Sequence, residues 1–226
     1  MKPIYLDAAG HEKVSNAVRA AEADTSGEIV TVLADRSDGY TDIAMAWAGA
    51  AAFMALASLA LFPDLFLSAF DVLMGGWVQE WDPQRLFWFA ALSAALVFVL
   101  VMLVQLWPPV KFAIIPGRVR TARVHDRAVS HFKVGAERRT HGHTGILLYL
   151  SMREHRAEIV ADKAIDDKVS DEVWGDAMIA MIAELKQDRI AEAMAVGVQQ
   201  VGVVLAEHFP RHEDDENELP DRLIEI

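Results

Sequence analysis

Four aspartates crowd a short stretch that follows a predicted strand, and their carboxylates could bind a metal ion. They are Asp162, Asp166, Asp167 and Asp171, and Glu172 follows the last of them. Proteins with mixed sheets commonly place ligand sites where strands end. Oxygen ligands without a nearby cysteine suit Ca²⁺ or Mg²⁺, although the spacing is not that of an EF-hand loop. The alternative is that Asp171 or Ser170 caps the next helix and the other acids are solvated.

Phosphatase chemistry would need more than these acids, because the transferring phosphoryl group has to be neutralised by a metal ion or a lysine. Lys163 and Lys168 lie in the same stretch, but the DxDxT/V arrangement is missing from the sequence. A GxxxxGK-S/T phosphate loop and a GxSxG elbow are missing too. The chain contains no cysteine, which excludes a thiolate nucleophile. The sequence therefore favours a non-enzymatic protein with no catalytic residues to name.

Histidines offer a second set of candidate metal ligands. His125 and His131 lie on a predicted helix, and His141 and His143 flank a glycine in the turn after it. Zinc accepts imidazole together with a carboxylate. Alternate residues in a turn usually point apart, so we expect ordinary surface histidines here.

Two uncharged stretches indicate that the chain is a membrane protein. Residues 43–63 and 86–107 contain no Asp, Glu, Lys, Arg or His, and each matches the ~30 Å hydrocarbon core as a helix of about 20 residues. Residues 65–78 are too short to cross and are predicted to lie in the interface. Gln105 is expected to face Ser58 or a partner helix. A stripe of small side chains offers close helix packing: Ala44, Ala48, Ala51, Ala55 and Ala60.

Basic residues predict the orientation, because Lys and Arg near a span resist translocation. The connection at 64–85 carries only Arg85, whereas residues 111–139 carry a run of Lys and Arg. We therefore predict an integral protein of the inner (plasma) membrane with two spans and both termini in the cytoplasm. The net charge of −12 opposes nucleic-acid binding. The basic run 111–139 is better explained by attraction to anionic lipid in the bilayer.

The remaining segments predict one domain that the spans interrupt. A helix between residues 7 and 24 precedes a strand at 28–34, and this pair alone cannot bury a core. Residues after the second span supply the partners: a helix over 118–139, strands at 145–151 and 156–161 forming a hairpin, and helices at about 172–187 and 189–208. The apolar face predicted for the first of these helices comprises Val119, Ala122, Val129, Phe132 and Ala136. The face predicted for the last helix comprises Ile190, Met194, Val198, Val201 and Leu205.

The predicted fold class is therefore α/β or α+β, with a small mixed sheet flanked by helices and interrupted by an inserted transmembrane hairpin. The helix–strand part occupies residues 1–42 and the hairpin 43–107, with its external connection at 64–85. The main part of the domain spans 108–211. The acidic tail 212–226 is predicted to be exposed, although Leu223, Ile224 and Ile226 could dock.

One stretch of the sequence resembles the membrane-anchored bacterial branch of the TPM-domain family. It reads GILLYLSMREHRAEIVADKAIDDKVSDEVW, with Phe132 and Arg139-Thr140 before it and HFP and NELPD after it. The resemblance implies a small mixed sheet flanked by helices. It also implies roles in assembling or maintaining membrane proteins, and some plant members are described as calcium-binding acid phosphatases. The acidic loop 162–172 falls where the family carries its own acidic loop.

Three functions follow from these expectations. The first is a cytoplasm-facing interaction module that helps to assemble or maintain other membrane proteins. The second is a divalent-metal-dependent acid phosphatase that uses the loop 162–172, and the third is a cation-binding sensor.

Overall fold

The computed structural model describes residues 5–75, 81–135, 144–212 and 217–226. The chain forms two compact units, one of residues 1–38 with 117–226 and one of residues 39–116. The first unit is therefore discontinuous in sequence, and its amino-terminal helix and strand fold with residues that follow position 117.

The first unit is built on a four-stranded mixed sheet with the strand order β3-β2-β1-β4. The strands are β1 (Glu28–Ala34), β2 (Gly145–Ser151), β3 (Arg156–Ala161) and β4 (Ile224–Glu225). β1 and β2 are parallel, with Glu28 opposite Gly145 and Ala34 opposite Ser151. β3 returns antiparallel to β2, as the predicted hairpin requires. All residues of β1 and β2 are buried, which explains their nearly continuous apolar sequences.

Three helices cover one face of this sheet: α1 (Ala8–Glu22), α8 (Trp174–Leu185) and α9 (Ile190–His208). α9 packs against both α1 and α8. Its buried residues include Met194, Val198, Val201 and Leu205, which confirms the apolar face read from the sequence. α9 also approaches α1 closely, because a Cβ atom at Gly202 would lie 2.6 Å from the Cβ of Ala21. The small mixed sheet flanked by helices is thus confirmed.

Helix α6 (Gly117–Gly135) covers the opposite face of the sheet. Its buried residues Val124, Ala128 and Phe132 form one core cluster with Leu147 and Tyr149 of β2. The predicted face was therefore wrong apart from Phe132: Ala122 is exposed, and Val119 and Val129 are only half-buried. Val124, Ala128 and Phe132, spaced four residues apart on one side of α6, contact the sheet. The small side chain of Ala128 at the centre of this row allows α6 to approach the sheet closely. Ala136 lies outside the described residues.

The carboxy-terminal segment docks onto the first unit. Leu219 and Leu223 are buried, and β4 pairs in parallel with Val32 and Leu33 of β1. The docking that the sequence allowed for Leu223 and Ile224 is therefore observed, and it covers an outer edge of β1 that would otherwise be unpaired. Asn217, Pro220 and Arg222 of this segment are exposed, as predicted for the tail. Residues 213–216 lie outside the described part of the chain.

The described residues of the second unit, 39–75 and 81–116, form four helices: α2 (Thr41–Leu61), α3 (Pro63–Leu73), α4 (Pro83–Val104) and α5 (Pro108–Ile114). α2 packs against α4, with Ala44 and Ala48 buried, whereas Ala60 of the predicted stripe is exposed. Gln105 faces α2 at Ala44 and not at Ser58: its amide donates to the carbonyl of Ala44 at 3.2 Å and to that of Val101 at 3.2 Å. A carbonyl in the first turn of α2 therefore satisfies this amide.

Among the described residues, three helices are long and apolar enough to cross a membrane, namely α2, α4 and α9. They differ in how much of their apolar stretch the protein itself buries. The fraction is 17% for α2, zero for α4 and 50% for α9. α2 and α4 therefore present their apolar side chains outward, whereas α9 contributes to the core of the first unit.

Candidate functional site

The predicted acidic stretch begins with an aspartate that points into the protein. Asp162 is 4% exposed, and its Oδ2 accepts a hydrogen bond from the Gly145 amide at 3.0 Å. The Asp162 amide in turn donates to the Gly145 carbonyl at 2.9 Å. This reciprocal pair joins the end of β3 to the start of β2, so Asp162 has a structural role whether or not it also binds a ligand.

The other aspartates of the stretch lie on helical turns where the sequence predicted a loop. Asp166 ends the short helix α7 (Lys163–Asp166), Asp167 follows it, and both are exposed. Asp171 begins a 3₁₀ turn, and its side chain lies outside what the structure describes. The N-cap position of α8 is Val173, the last residue of the 3₁₀ turn, so neither Ser170 nor Asp171 occupies it. The cation site at Asp162, Asp166, Asp167 and Asp171 therefore remains a prediction.

The histidines also stay apart in the described part of the chain. His125 Nδ1 lies 3.6 Å from Glu158 Oε2, and His131 stacks on Tyr149 with ring centroids 6.1 Å apart. His141 and His143 lie outside the described residues. Among the residues that the structure does describe, no group of three or more His, Cys, Asp and Glu side chains is placed to hold a metal ion.

Carboxylates that the sequence did not single out gather at the amino end of β1. Glu28 is 6% exposed and accepts hydrogen bonds from the amides of Glu218 at 3.2 Å and Leu219 at 3.1 Å. Glu22 Oε1 accepts from the Ile29 amide at 2.8 Å. Together the two side chains occupy the outer edge of β1 and hold the carboxy-terminal segment against it.

Glu22 is the most strongly perturbed acid described in the structure. Burial raises its pKa from 4.5 to about 8, the Ile29 hydrogen bond opposes that rise, and the charges of Glu28 and Asp221 add to it. Its Oε2 is buried without a hydrogen-bond partner. Arg19 Nε, 3.7 Å from Asp221 Oδ2, does not offset these effects. A pKa of about 8 keeps Glu22 mostly protonated at pH 7, which lets it sit beside another carboxylate.

The carboxyl end of β1 and β2 holds a second buried polar network. Glu154 is completely buried, and its carboxylate accepts from Ser151 Oγ at 2.6 Å and from the Ser37 amide at 3.1 Å. Ser37 Oγ donates to Ser151 Oγ at 2.8 Å and lies 3.0 Å from the Tyr149 hydroxyl. A serine hydroxyl has one proton, so Tyr149 is the donor to Ser37. The four side chains therefore form a directed chain that ends on the Glu154 carboxylate.

Two ion pairs fix the same segment of chain. Arg153 Nε lies 2.9 Å from Asp35 Oδ2, and Arg123 Nε lies 3.3 Å from Asp38 Oδ2. With the Ser37 contacts, three of the four residues at 35–38 are tied to the β2–β3 turn or to α6. This end of the sheet is where parallel strands usually build ligand sites. One carboxylate oxygen there, Asp35 Oδ1, is buried without a hydrogen-bond partner.

Basic side chains of α6 lie beside that network. Burial, and then the nearby Arg127, lower the pKa of His131. Burial raises the pKa of the Tyr149 phenol, although Ser37 and Arg127 oppose the rise. Arg127 therefore acts electrostatically at the Tyr149 end of the hydrogen-bond chain. We take this carboxyl edge, with its arginines, as the candidate functional site.

Comparison with known proteins agrees with this architecture. A TPM domain is found at residues 118–204, which supports the TPM-domain family that the sequence resembles. The fold is similar to the NMR structure of BA42 protein from the psychrophilic bacterium Bizionia argentinensis, at a TM-score of 0.57 and 20% identity. That alignment covers 100% of this chain and 99% of the other. No curated protein matches the chain significantly.

The sequence did not reveal the buried network, because Ser37, Ser151 and Glu154 look like ordinary turn residues. One signal could have indicated it. Each of the two serines comes just after or at the end of a predicted strand, and parallel neighbours bring such ends together. The chain alone did not show that the two strands are parallel.

Proposed function

We propose that this protein is a membrane-anchored member of the TPM-domain family that acts as an interaction module for other membrane proteins. The supporting observation is the outer surface of α2 and α4. Large apolar side chains there are more than half exposed, among them Phe53 (70%), Leu92 (64%) and Leu103 (54%). Such a continuous apolar surface is costly in water and favourable in hydrocarbon.

In this proposal α2 and α4 are the two spans, and α9 is not a third. α9 buries half of its apolar stretch against α1, α8 and the sheet, so moving it into lipid would open the core of the TPM domain. The α2–α4 pair satisfies its own strongly polar group, because Gln105 donates to carbonyls of both helices. A polar amide needs such a partner at membrane depth.

The proposed orientation places both termini in the cytoplasm of a cell whose inner membrane holds the hairpin. The chain contains no cysteine, so a single cysteine at Asp64 or Asp24 would report on one side of the membrane each. In intact cells a membrane-impermeant maleimide should label Asp64→Cys only, and Asp24→Cys should react after permeabilisation. Labelling in the opposite order would refute the orientation, and release of the chain by alkaline carbonate would refute the anchor.

An interaction role is supported by an apolar surface on the TPM domain itself. Val173, Ile179 and Ile182, at the start of α8 and along it, are 40%, 67% and 44% exposed. The buried carboxylates Glu28, Glu154 and Asp162 are used in internal hydrogen bonds. The partner is expected to be another membrane protein. The net charge of −12 weighs against nucleic acid.

Site-specific photo-crosslinking from Ile179 in living cells tests this role. We expect one reproducible adduct that disappears in an Ile182→Asp variant. Val203, on α9, is 66% exposed and provides a matched control, since Val203→Asp places the same charge on another apolar surface position. A crosslinking pattern unchanged by Ile182→Asp, or equally lost with Val203→Asp, would contradict the proposal.

A phosphatase is the second candidate, because the family profile matched by residues 118–204 has phosphatase in its name. The full chain in detergent would be assayed on a generic phosphomonoester with Ca²⁺, with Mg²⁺ and without metal. Turnover that needs metal and is lost in Asp167→Asn/Asp171→Asn would favour the enzyme. Metal binding without turnover would favour the cation sensor instead.

A further inference from the structure

Helix α6 divides its basic residues between two flanks. Arg118 lies on the flank next to β3, where it lines a shallow concavity with Thr121, His125 and Glu158. Arg120, Arg123 and Arg127 recur at i, i+3 and i+7, so they share the other flank. We name these three residues the arginine row. Its position is fixed by the contact of Arg123 with Asp38, just beyond the carboxyl end of β1.

The arginine row carries more positive charge than its surroundings neutralise. Within the described residues, Asp38 pairs with Arg123, while Arg120 and Arg127 have no ion pair. The Nε of Arg120 is buried and has no hydrogen-bond partner. Arg127 is exposed. A guanidinium group with unused donors beside a second one is suited to an oxyanion, and to phosphate above all, because its fork matches two oxygens at once.

The chain itself holds this row near the proposed membrane. Residues 35–40 connect β1 to α2, and six residues extend over no more than about 21 Å. Asp38, the partner of Arg123, precedes the start of α2 by three residues. In a membrane-anchored chain the row therefore stays within reach of lipid headgroups, and this step rests on the function proposed above.

Charge explains why such a row would matter. The protein carries a net charge of −12, so its surface as a whole is repelled by an anionic bilayer. A cationic row that a short linker joins to α2 would reverse that repulsion locally. We propose that Arg120, Arg123 and Arg127 bind the phosphate of anionic lipid headgroups and so orient the TPM domain on the membrane. Each arginine near an anionic surface strengthens binding by about fivefold.

The test uses the full chain in neutral detergent and short-chain phosphatidylglycerol as the probe, with bound lipid counted by native mass spectrometry. Arg120→Gln/Arg127→Gln should weaken binding by about 25-fold, at about fivefold for each charge. The matched control is Arg118→Gln/Lys133→Gln, which removes the same charge from other positions on α6 and should bind like the wild type. Arg123 is kept, because its loss would leave Asp38 without this partner.

Because the Nε of Arg120 is buried, the double variant could lose binding through misfolding. The exposed Arg127→Gln change alone guards against this, and it should weaken binding by about fivefold with an unchanged thermal midpoint. Equal losses in the test and control pairs, or equal binding of phosphatidylglycerol and phosphatidylcholine, would overturn the proposal. So would full binding by Arg127→Gln and by the double variant.

Two further experiments are needed. The first distinguishes a lipid headgroup from free phosphate as the ligand, and the second distinguishes failure of the proposed membrane anchor from failure of the arginine row. Inorganic phosphate that binds as tightly as the lipid and displaces it would assign the row to free phosphate and overturn the headgroup site. Carbonate extraction of the chain from membranes, with lipid binding still lost in Arg120→Gln/Arg127→Gln, would refute the anchor while supporting the arginine row.

Discussion

Replacing Glu22 with glutamine should stabilise the protein in a way that depends on pH. Glutamine keeps an oxygen that can accept from the Ile29 amide, as Glu22 Oε1 does at 2.8 Å. Its NH₂ group takes the place of the buried Oε2, which has no hydrogen-bond partner, and can donate toward Asp221. Above all, glutamine cannot ionise, so the cost of a buried charge beside Glu28 and Asp221 disappears.

The sign and size of this pH-dependent stabilisation follow from the raised pKa of Glu22. Glu22 has a pKa of about 8 in the folded protein against 4.5 for the ordinary group. Its contribution to stability is fully present below pH 4.5 and is lost as the pH rises through 8, because the unfolded chain ionises first. At about 1.4 kcal/mol per pH unit, the loss reaches about 5 kcal/mol as an order of magnitude. The advantage of Glu22→Gln should therefore widen between pH 5 and pH 8 and level off above.

Urea unfolding at several pH values between 5 and 9 measures this difference in the full chain. Trp174 is the only tryptophan among residues 1–38 and 117–226, and it is 7% exposed, so its fluorescence reports on the first unit once the other five are replaced by phenylalanine. Glu12→Gln, at an exposed position of the same helix, is the matched control. A difference between Glu22→Gln and wild type that does not change with pH would refute the reasoning.

Three other predictions concern packing and buried hydrogen bonds, each measured as a change in the free energy of unfolding. Glu154→Ala leaves a buried hydroxyl and a buried amide without their acceptor and should cost about 3–5 kcal/mol, whereas an unchanged midpoint would mean that water replaces the carboxylate. Gly202→Ala pushes α9 from α1 and should cost about 1–3 kcal/mol, while Gly175→Ala, which meets open space, should be neutral or stabilising. Asp162→Ala should cost about 1–3 kcal/mol and Asp162→Asn clearly less; equal effects would show that the hydrogen bond to Gly145 is dispensable.

The sequence was informative where structure is decided locally. β1 and β2 were found with their boundaries because β-branched and leucine-rich runs buried on both faces leave little ambiguity. Helix α9 was found with its buried face because its apolar residues recur over the whole helix. In both cases residues close together in the sequence are enough to identify the strand or helix.

The misses involve partners that are distant in sequence. β4 is a two-residue strand whose docking depends on Glu28 and on the outer edge of β1, about 190 residues earlier. The face of α6 was misread because its apolar side chains are spread around the helix, and contact with β2 and β3 decides which of them are buried. The candidate site was missed for the same reason, since Ser37 and Glu154 meet in the fold although they are 117 positions apart in the sequence.

This separation in sequence also constrains how the protein can fold. β1 pairs with β2 along its whole length, yet the two strands are separated by the entire second unit. The central pairing of the sheet cannot form until residues 39–116 have been synthesised, and pairing between distant segments is intrinsically slow. Until then β1 has neither of its neighbouring strands, because β2 and β4 both follow the second unit in the sequence. In a membrane-anchored chain the helices of the hairpin would enter the bilayer before the TPM domain closes, so insertion precedes and positions the assembly of the sheet.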